Sequence, residues 1–442
     1  MLVRCAGVAL AAVLAVGLTC ASTRAEDEGS LHALTDAYNA SGHDLFAKLA
    51  AAPGNIVLSP YSIGTAMAMT LSGARGDTAR EMARVLRHTL PRDEIDAANA
   101  GALALFGGYD KSALLACPAA MHFNGMTCEA PKPAVGFCPN GLPVGERCIA
   151  EQQGPASAKL KVANALMLPH GGLVSADYAG LLNDKYRAEV LRDAALGAVN
   201  GWVNRQTDGK VAQILDRIDP RDAMILNAIY FQAAWRKPFV GSVSREDFSI
   251  SPTEKVKVAM IHRQESYAVV RRPGYRAIRL PYTVGTLAMV IVLPDEVAGT
   301  TRLAGALGTR ELAALLDALN VAKEVEVTLP RFQASFQVDL KPLFRQAGMI
   351  GAFDPGSADF SGMTGQPLAQ PRFAINDIKH RAVIDVTEWG TEGAAAAVVS
   401  TRLSYVLAQA AEPFVVDRPF LFYVADQASG AILFEGRISD PR

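Results

Sequence analysis

Charge of one sign is the first thing this sequence lacks. Its 43 basic and 44 acidic residues give a formal net charge of -1, which leaves no electrostatic footprint for nucleic acid or for an anionic membrane surface. A run long enough to cross a bilayer is missing too, because the longest apolar stretch, from about Ala6 to Leu18, is too short to span one. Local signatures of chemistry are also absent. There is no P-loop, no dinucleotide fingerprint, no H-E-x-x-H and no G-x-S-x-G, so phosphate cradles, zinc peptidase sites and nucleophile elbows have no support. The chain has seven histidines: His32, His43, His88, His122, His170, His262 and His380. Serine hydrolysis would need one of them beside a nucleophile and an orienting acid, and no local stretch nominates such a set. Neither a metal nor a cofactor is expected.

What is present is a globular composition, 50% hydrophobic and 20% charged over 442 residues, enough for one large domain or roughly two to three average ones. The amino terminus, "MLVRCAGVALAAVLAVGLTCASTRAEDEGS", has one early positive charge at Arg4, an apolar run, small residues and an acidic start. This is a secretory signal pattern over residues 1–25, with cleavage after Ala21 or Ala25, and it predicts an exported protein, secreted or periplasmic. Cys20 offers a lipoprotein alternative, although Leu18 and Thr19 make a poor lipobox. Cleavage removes Cys5 and Cys20 and leaves Cys117, Cys128, Cys138 and Cys148. An even count in an exported chain reads as two disulfides, and all three pairings stay open. The rival reading, a zinc site, lacks any C-x-x-C pair.

Residues 30–90 carry helical periodicity, as in "LTDAYNASGHDLFAKLA", "SPYSIGTAMAMTLSGA" and "DTAREMARVL". Asp77 or Thr78 is the expected cap of the last helix, with Glu81 placed to reinforce it. From about 108 to 158 the texture turns to Pro, Gly and Cys without periodicity, and a stretch of this kind inside a domain reads as an insertion with its own staples. Its role is either recognition or a tolerated surface excursion. Beyond it, "KLKVANALMLP", "AMILNAIYFQAAW", "LAMVIVLPDE" and "EVEVTLPRFQASF" read as strands, and "LNDKYRAEVLRDA" and "VDLKPLFRQAG" as helices. The carboxyl end reads as two strands joined by a turn at Gln427–Gly430. An α+β fold with large, mainly antiparallel sheets fits this pattern. No repeat and no second domain boundary is evident.

One stretch commits to no element. In "EWGTEGAAAAVVST", residues 388–401, the alanines favour helix, while the valines, threonines and glycines favour strand or loop. Read as a strand, it sorts cleanly by parity. Thr391, Gly393, Ala395, Ala397, Val399 and Thr401 form one charge-free row of small side chains; Glu392, Ala394, Ala396, Val398, Ser400 and Arg402 form the other, which holds both charges. The first row is small enough to slide between existing strands and bury. A solvent helix or a linker explains the small residues but not the parity of the charges.

Several segments in order resemble the serpin family. "NIVLSPYSIGTAMAMTLSGARGDTAREM", "VANALMLP", "ILNAIYFQAAWRKPF", "VTLPRFQASFQVDLKPLFRQAGMIGAFDPGSADFSGMTG", "IKHRAVIDVTEWGTEGAAAA" and "VDRPFLFYVADQASGAILFEGRISDP" are similar to its successive motifs. The likeness covers nearly all of residues 30–442 outside the cysteine insert, and points to one serpin domain over 26–442 of a bacterial-type member. It implies the serpin fold with an exposed reactive-centre loop, and a suicide-substrate inhibitor of serine and also cysteine proteases. The partner is then a target serine protease, trapped as an acyl-enzyme when the cut loop of a monomeric inhibitor inserts into the main sheet.

By the same resemblance Glu388, Gly390, Thr391, Glu392, Gly393, Ala394, Ala395, Ala396 and Ala397 form the hinge of that loop. Ser59, Ser62, Asn227 and His380 match a hydrogen-bonded latch beneath the centre of the sheet, for which a catalytic Ser/His site is the sharper rival reading. Trp235 matches the place at the top of the sheet where insertion begins. Counting on from Gly390 puts the reactive bond at Ser404–Tyr405, while counting back from Pro419 lands near Ala408. Chemistry offers Arg402–Leu403, Tyr405–Val406 or Leu407–Ala408, and the expected window is Arg402–Val406. Gly393 departs from the alanine usual in inhibitory members and slackens the hinge. This keeps open a non-inhibitory binding or chaperone role.

Overall fold

The strands read from "AMILNAIYFQAAW" and "IKHRAVIDVT" set the architecture. In the computed structural model, which describes residues 13–109, 122–123, 128–131, 142–144, 147–149, 158–239, 243–366, 374–391 and 411–442, they lie in the middle of a six-stranded central sheet. Its spatial order is Phe332–Asp339, Asp377–Thr387, Gly390–Thr391, Met224–Ala234, Ala158–Met167 and Glu189–Leu191. Strand Met224–Ala234 is buried along its whole length with only Gln232 partly exposed, because both its faces are covered. That is why its sequence is a continuous apolar run rather than an alternation. Helix Leu196–Gln206 covers one face through Val199, Trp202 and Val203, with Ile214 and Leu215 beside them. The main core, including helix Pro60–Gly73, lies on the other face.

Behind that core stands a nine-stranded sheet running from Ile56–Leu58 through Ile432–Ile438, Phe420–Asp426, Leu287–Pro294, Tyr275–Pro281 and Lys255–Arg272 to Ala322–Pro330 and Glu412–Val415, with Ser244–Ser249 paired to Lys255–Arg272 at the side. Most pairings are antiparallel. Ten α-helices are present among the described residues, so the fold is α+β with two large, mainly antiparallel sheets.

The structure corrects the sequence reading in three places. Helix Gly76–Val85 is capped two or three residues earlier than expected, by Arg75 rather than Asp77 or Thr78, with no side-chain cap bond. Thr78 and Glu81 are used in tertiary contacts instead: Thr78 Oγ1 accepts from Asp359 N at 3.0 Å, and Glu81 Oε1 accepts from Ile350 N and Gly351 N at 2.6 and 2.7 Å. "LNDKYRAEVLRDA" is helix only to Tyr186; Arg187 turns left-handed at φ 48°, and Glu189–Leu191 joins the sheet edge. The cysteine-rich insert follows helix Arg92–Tyr109 and is not purely irregular. His122–Phe123, Cys128–Pro131, Leu142–Val144 and Arg147–Ile149 form a small four-stranded antiparallel sheet of their own. Cys148 is buried and disulfide-bonded.

Candidate functional site

The central sheet has an irregularity among the described residues, and the first residues of the predicted hinge, Glu388 to Thr391, lie at it. From Asp377 to Val383, strand 377–387 pairs in parallel with Met224–Tyr230. Higher up, the two strands part and Gly390–Thr391 sits between them, antiparallel to both: Thr391 faces Val386 on one side and Ala233 on the other. The chain reaches this slot by a tight reversal after Thr387, whose hydroxyl accepts from Trp389 N at 3.3 Å and donates to Gly390 O at 3.3 Å.

Only glycine fits at 390. A Cβ there would lie 2.1 Å from Ala233 O and 2.8 Å from Ala234 Cα, both backbone atoms that cannot swing aside. Thr391 is fully buried, and its hydroxyl hydrogen-bonds that of Tyr282 at 2.6 Å. Burial pushes the Tyr282 phenol up, which keeps it a neutral hydroxyl partner. The Tyr282 ring stacks on Trp235 with centroids 4.6 Å apart and planes 6° from parallel. Trp235 Nε1 donates to Thr387 O at 2.9 Å, and its backbone N–H donates to Trp389 O at 2.9 Å. Glu388, buried, is held by Arg331 at 2.5 Å and accepts Phe239 N at its carbonyl at 2.8 Å. Glu388, Gly390, Thr391 and Trp235 are thus brought together around one mouth.

Lower in the sheet the structure also joins Ser59, Ser62, Asn227 and His380, all fully buried. His380 faces Asn227 across the parallel ladder, and its Nδ1–H donates to Asn227 Oδ1 at 2.5 Å. His380 Nε2 accepts Ser59 N at 3.4 Å, so the ring is neutral; burial depresses its pKa to about 3. Asn227 Nδ2 donates to Ser62 Oγ at 2.7 Å and to Ser62 O at 3.1 Å, and the Ser59 hydroxyl caps helix Pro60–Gly73 by accepting Ser62 N at 3.0 Å. Among the described residues no serine hydroxyl and no carboxylate bonds to the His380 ring, so the catalytic reading of this cluster has no geometric basis there.

A fifth member escaped sequence reasoning. Asn164 lies directly opposite Asn227 in strand Ala158–Met167 and accepts from its Nδ2 at 2.6 Å. One rung of the sheet therefore reads Asn164, Asn227, His380. The signal was available: Asn164 interrupts the apolar run of "VANALMLP" as Asn227 interrupts "MILNAIYF", and a buried amide needs a partner.

A serine hydroxyl does meet a histidine ring elsewhere among the described residues. Ser244 Oγ lies 2.6 Å from His262 Nε2, but Glu246 sits on the same nitrogen at 3.0 Å and Nδ1 faces the Thr328 hydroxyl at 3.1 Å. Among the described residues no carboxylate orients the ring from its far side, so this is not a nucleophile–base–acid relay. Among the described residues no group of three His, Cys, Asp or Glu could hold a metal ion, and no helix is long and apolar enough to cross a membrane. Glu392, Gly393, Ala394, Ala395, Ala396 and Ala397 lie outside the described residues, as do Arg402, Leu403, Ser404, Tyr405 and Val406. So do Cys117 and Cys138; Cys128 is placed in its strand.

Comparison with known proteins agrees with this geometry. The profile described as Serpin (serine protease inhibitor) matches residues 36–441. The chain is 31% identical over 426 residues to an uncharacterized serpin-like protein of Thermococcus kodakarensis, covering 94% of this chain and 87% of that one. It is 29% identical to the leukocyte elastase inhibitor of Xenopus tropicalis over 90% of this chain and 97% of the relative. Among solved structures, Serpin48 of the insect Tenebrio molitor superposes with a TM-score of 0.69 at 24% identity, covering 94% of this chain and 98% of that one, a likeness of fold.

Proposed function

The chain belongs to the serpin family, and from that premise we propose that it is an exported, bacterial-type suicide-substrate inhibitor of serine proteases, with cysteine proteases as a further class of target. The observation that carries this reading is the seating of Gly390–Thr391 as the first two residues of a strand between 377–387 and 224–234. Continued without a slip, the same antiparallel register brings Ala397 opposite His380 and Asn227, and Ser400 opposite Asp377 and Met224 at the far ends of both strands. The slot therefore accepts residues 392–400. The inward row holds only Gly393, Ala395, Ala397 and Val399 below Thr391.

Insertion exchanges one parallel ladder for two antiparallel ones. Each added hydrogen bond contributes about 0.5–1.5 kcal/mol net, and antiparallel pairing is the slightly stronger kind. Against this stands the rung of Asn164, Asn227 and His380, whose His380–Asn227 bond must part as Ala397 arrives between them. Insertion therefore waits until the loop is cut and its end is free. A protease acylated beyond Ser400 is then drawn toward the far end of the sheet, and the reactive bond lies in the window Arg402–Val406, with Ser404–Tyr405 first and Arg402–Leu403 and Tyr405–Val406 as rivals.

The test is incubation with trypsin, chymotrypsin and elastase. An adduct that survives denaturant, together with a cut loop and a large gain in heat resistance, supports inhibition. Cleavage with no adduct favours a non-inhibitory member serving as a binding or chaperone module, which Gly393 and the cysteine insert would suit. Amino-terminal sequencing of the released fragment locates the bond; sequencing of exported protein tests the leader at 1–25 and the lipidation alternative at Cys20. Peptide mapping without reduction tests whether Cys117, Cys128, Cys138 and Cys148 form two disulfides.

A further inference from the structure

The chain that follows the expected reactive bond enters the rear sheet as the strand Glu412–Val415, which pairs in parallel with Ala322–Pro330 at the end of the sheet order. Arginines crowd this strand. The Arg276 guanidinium donates to Pro413 O at 2.9 Å and to Val415 O at 3.1 Å, and its Cζ lies 4.6 Å from the centre of the buried Phe414 ring. Arg271 stands directly opposite Arg276 where Lys255–Arg272 turns back into Tyr275–Pro281. Arg418, just past the strand, donates from Nη1 to Asp295 O at 2.7 Å and from Nε to Asp417 Oδ1 at 2.8 Å. Burial first, and then the Arg418 and Arg271 charges, hold the Arg276 pKa below its usual value, so these cations feel one another.

The arrangement costs the fold something. Like charges directly opposite on an antiparallel ladder destabilise it, and carbonyl partners satisfy the N–H groups of a guanidinium without cancelling its charge. Nearby carboxylates are spoken for: Glu412 is ion-paired to Lys323 and Asp417 to Arg418, while Glu324 and Glu326 lie on the opposite parity of their strand from Lys323. Arg271 and Arg272 are exposed, and among the described residues neither has an ion-pair partner; Arg272 donates to the Arg271 carbonyl at 3.4 Å. The cluster is also close to the bait by chain length. Tyr405 and Pro413 are eight residues apart, at most roughly 29 Å, whereas a single-domain protease of about 220 residues is roughly 40 Å across. An enzyme at Ser404–Tyr405 can therefore lay its own rim on these arginines. We propose that Arg271, Arg272, Arg276 and Arg418 form a docking surface for the target protease, one that selects an enzyme whose surface beside its active site is acidic. The inference rests on the inhibitor reading above and adds to it the charge of the target.

Cationic and anionic trypsin separate charge from chemistry, because they share one cleavage specificity and differ in surface charge; Arg402–Leu403 offers both a bond in the loop. Three full-length proteins are compared: the native chain, Arg271→Gln with Arg272→Gln, and a control carrying Arg192→Gln with Arg217→Gln. The control loses the same charge at exposed arginines outside the cluster. Loop cleavage and denaturant-resistant adduct are read from the same timed gels, and each rate is divided by that enzyme's rate on a small arginine amide.

At low salt the anionic enzyme should act on the native chain about tenfold faster than the cationic one. The gap should close near 1 M salt, where the screening length is about 3 Å. It should also close in the Arg271, Arg272 variant and persist in the control. Equal rates for the two trypsins on the native chain, with adduct formed, overturn the docking surface and leave the inhibitor reading standing. A gap lost equally in the control overturns it too, since net charge then suffices. Should the Arg271, Arg272 variant lose retention on dextran sulfate while the trypsin gap is unchanged, the cluster serves a polyanion and the protease reading of it falls. Charge-selected cleavage with no adduct from trypsin, chymotrypsin or elastase sinks the inhibitor reading instead.

Discussion

Between Asp377 and Val383 the strand 377–387 is zipped directly to Met224–Tyr230, whereas a few residues higher the same two strands are held apart by Gly390 and Thr391. The two halves of this seam use different chemistry. The lower half is closed by a polar rung, Asn164, Asn227 and His380, of which the His380–Asn227 bond crosses the seam and exists only while 377–387 and 224–234 touch. The upper half is kept open by flat rings and a backbone wedge: Trp235 against Tyr282, and a glycine where no Cβ fits. Directional bonds make a seam that opens all at once, while stacked apolar surface tolerates a small fixed opening. The contrast suits a sheet that is primed above and locked below.

The largest effect is expected from breaking the wedge. Gly390→Val places a side chain on the Ala233 and Ala234 backbone, so the hinge cannot seat. Adduct formation with whichever protease the native protein traps should fall on the order of a thousandfold, with cleavage of the loop retained. A denaturing gel of timed mixtures reads this out, and an undiminished adduct would show that seating is dispensable.

Next comes the lock. Asn227→Ala strips partners from His380, Ser62 and Asn164 at once, and each buried polar group left unpaired is costly, so the native form should lose about 3 kcal/mol. Urea unfolding measures the loss. Spontaneous conversion to a heat-resistant form should also quicken, since the lower seam no longer resists; a variant as slow to convert as the wild type would contradict the role assigned to this rung.

Acid should weaken the lock through the same residue. His380 has a pKa of about 3 in the fold against roughly 6.5 in the unfolded chain. Below pH 6.5 the unfolded chain takes up a proton that the folded one does not, so stability is full above pH 6.5 and falls with pH until about 3. The slope is ~1.4 kcal/mol per unit, or about 2 kcal/mol by pH 5. His88, with a pKa held near 4 by burial, acts in the same direction. In His380→Gln the loss between pH 7 and pH 5 should shrink by about 2 kcal/mol, and an unchanged pH dependence would remove His380 from the explanation.

The smallest effect belongs to the upper half. Trp235→Phe keeps a ring against Tyr282 but removes the donor to Thr387 O, for about 1 kcal/mol of stability. The change in tryptophan emission on loop cleavage should diminish in this variant if the Trp235 environment reports the opening of the mouth.

Much of this arrangement was legible in the residues. Strand 377–387 alternates buried and half-buried side chains along its whole length, as its sequence pattern implies. Strand 224–234 shows its double burial as an unbroken apolar run. Asn227 and His380 were visible as polar groups with no business in apolar runs unless partnered. Asn164 sent the same signal, but nothing local says that it shares a rung with Asn227, because register is set by pairing across strands. The cap at Asp77 or Thr78 failed for a related reason: the 340–360 segment competes for Thr78 and Glu81, and a tertiary contact outweighed a local one. The strand Glu189–Leu191 was hidden because the helical pattern of "LNDKYRAEVLRDA" runs past a left-handed Arg187 that periodicity does not register.

By itself the sequence determined most of the elements, the family, and a run of residues small enough on one parity to bury, since these follow from propensity, period and side-chain volume. Only the tertiary structure decided that Gly390 and Thr391 already occupy a slot between two strands and that Asn164 completes the rung below. Those are facts about which distant backbones lie side by side, and side-chain pattern along one chain is silent on the neighbour it will meet.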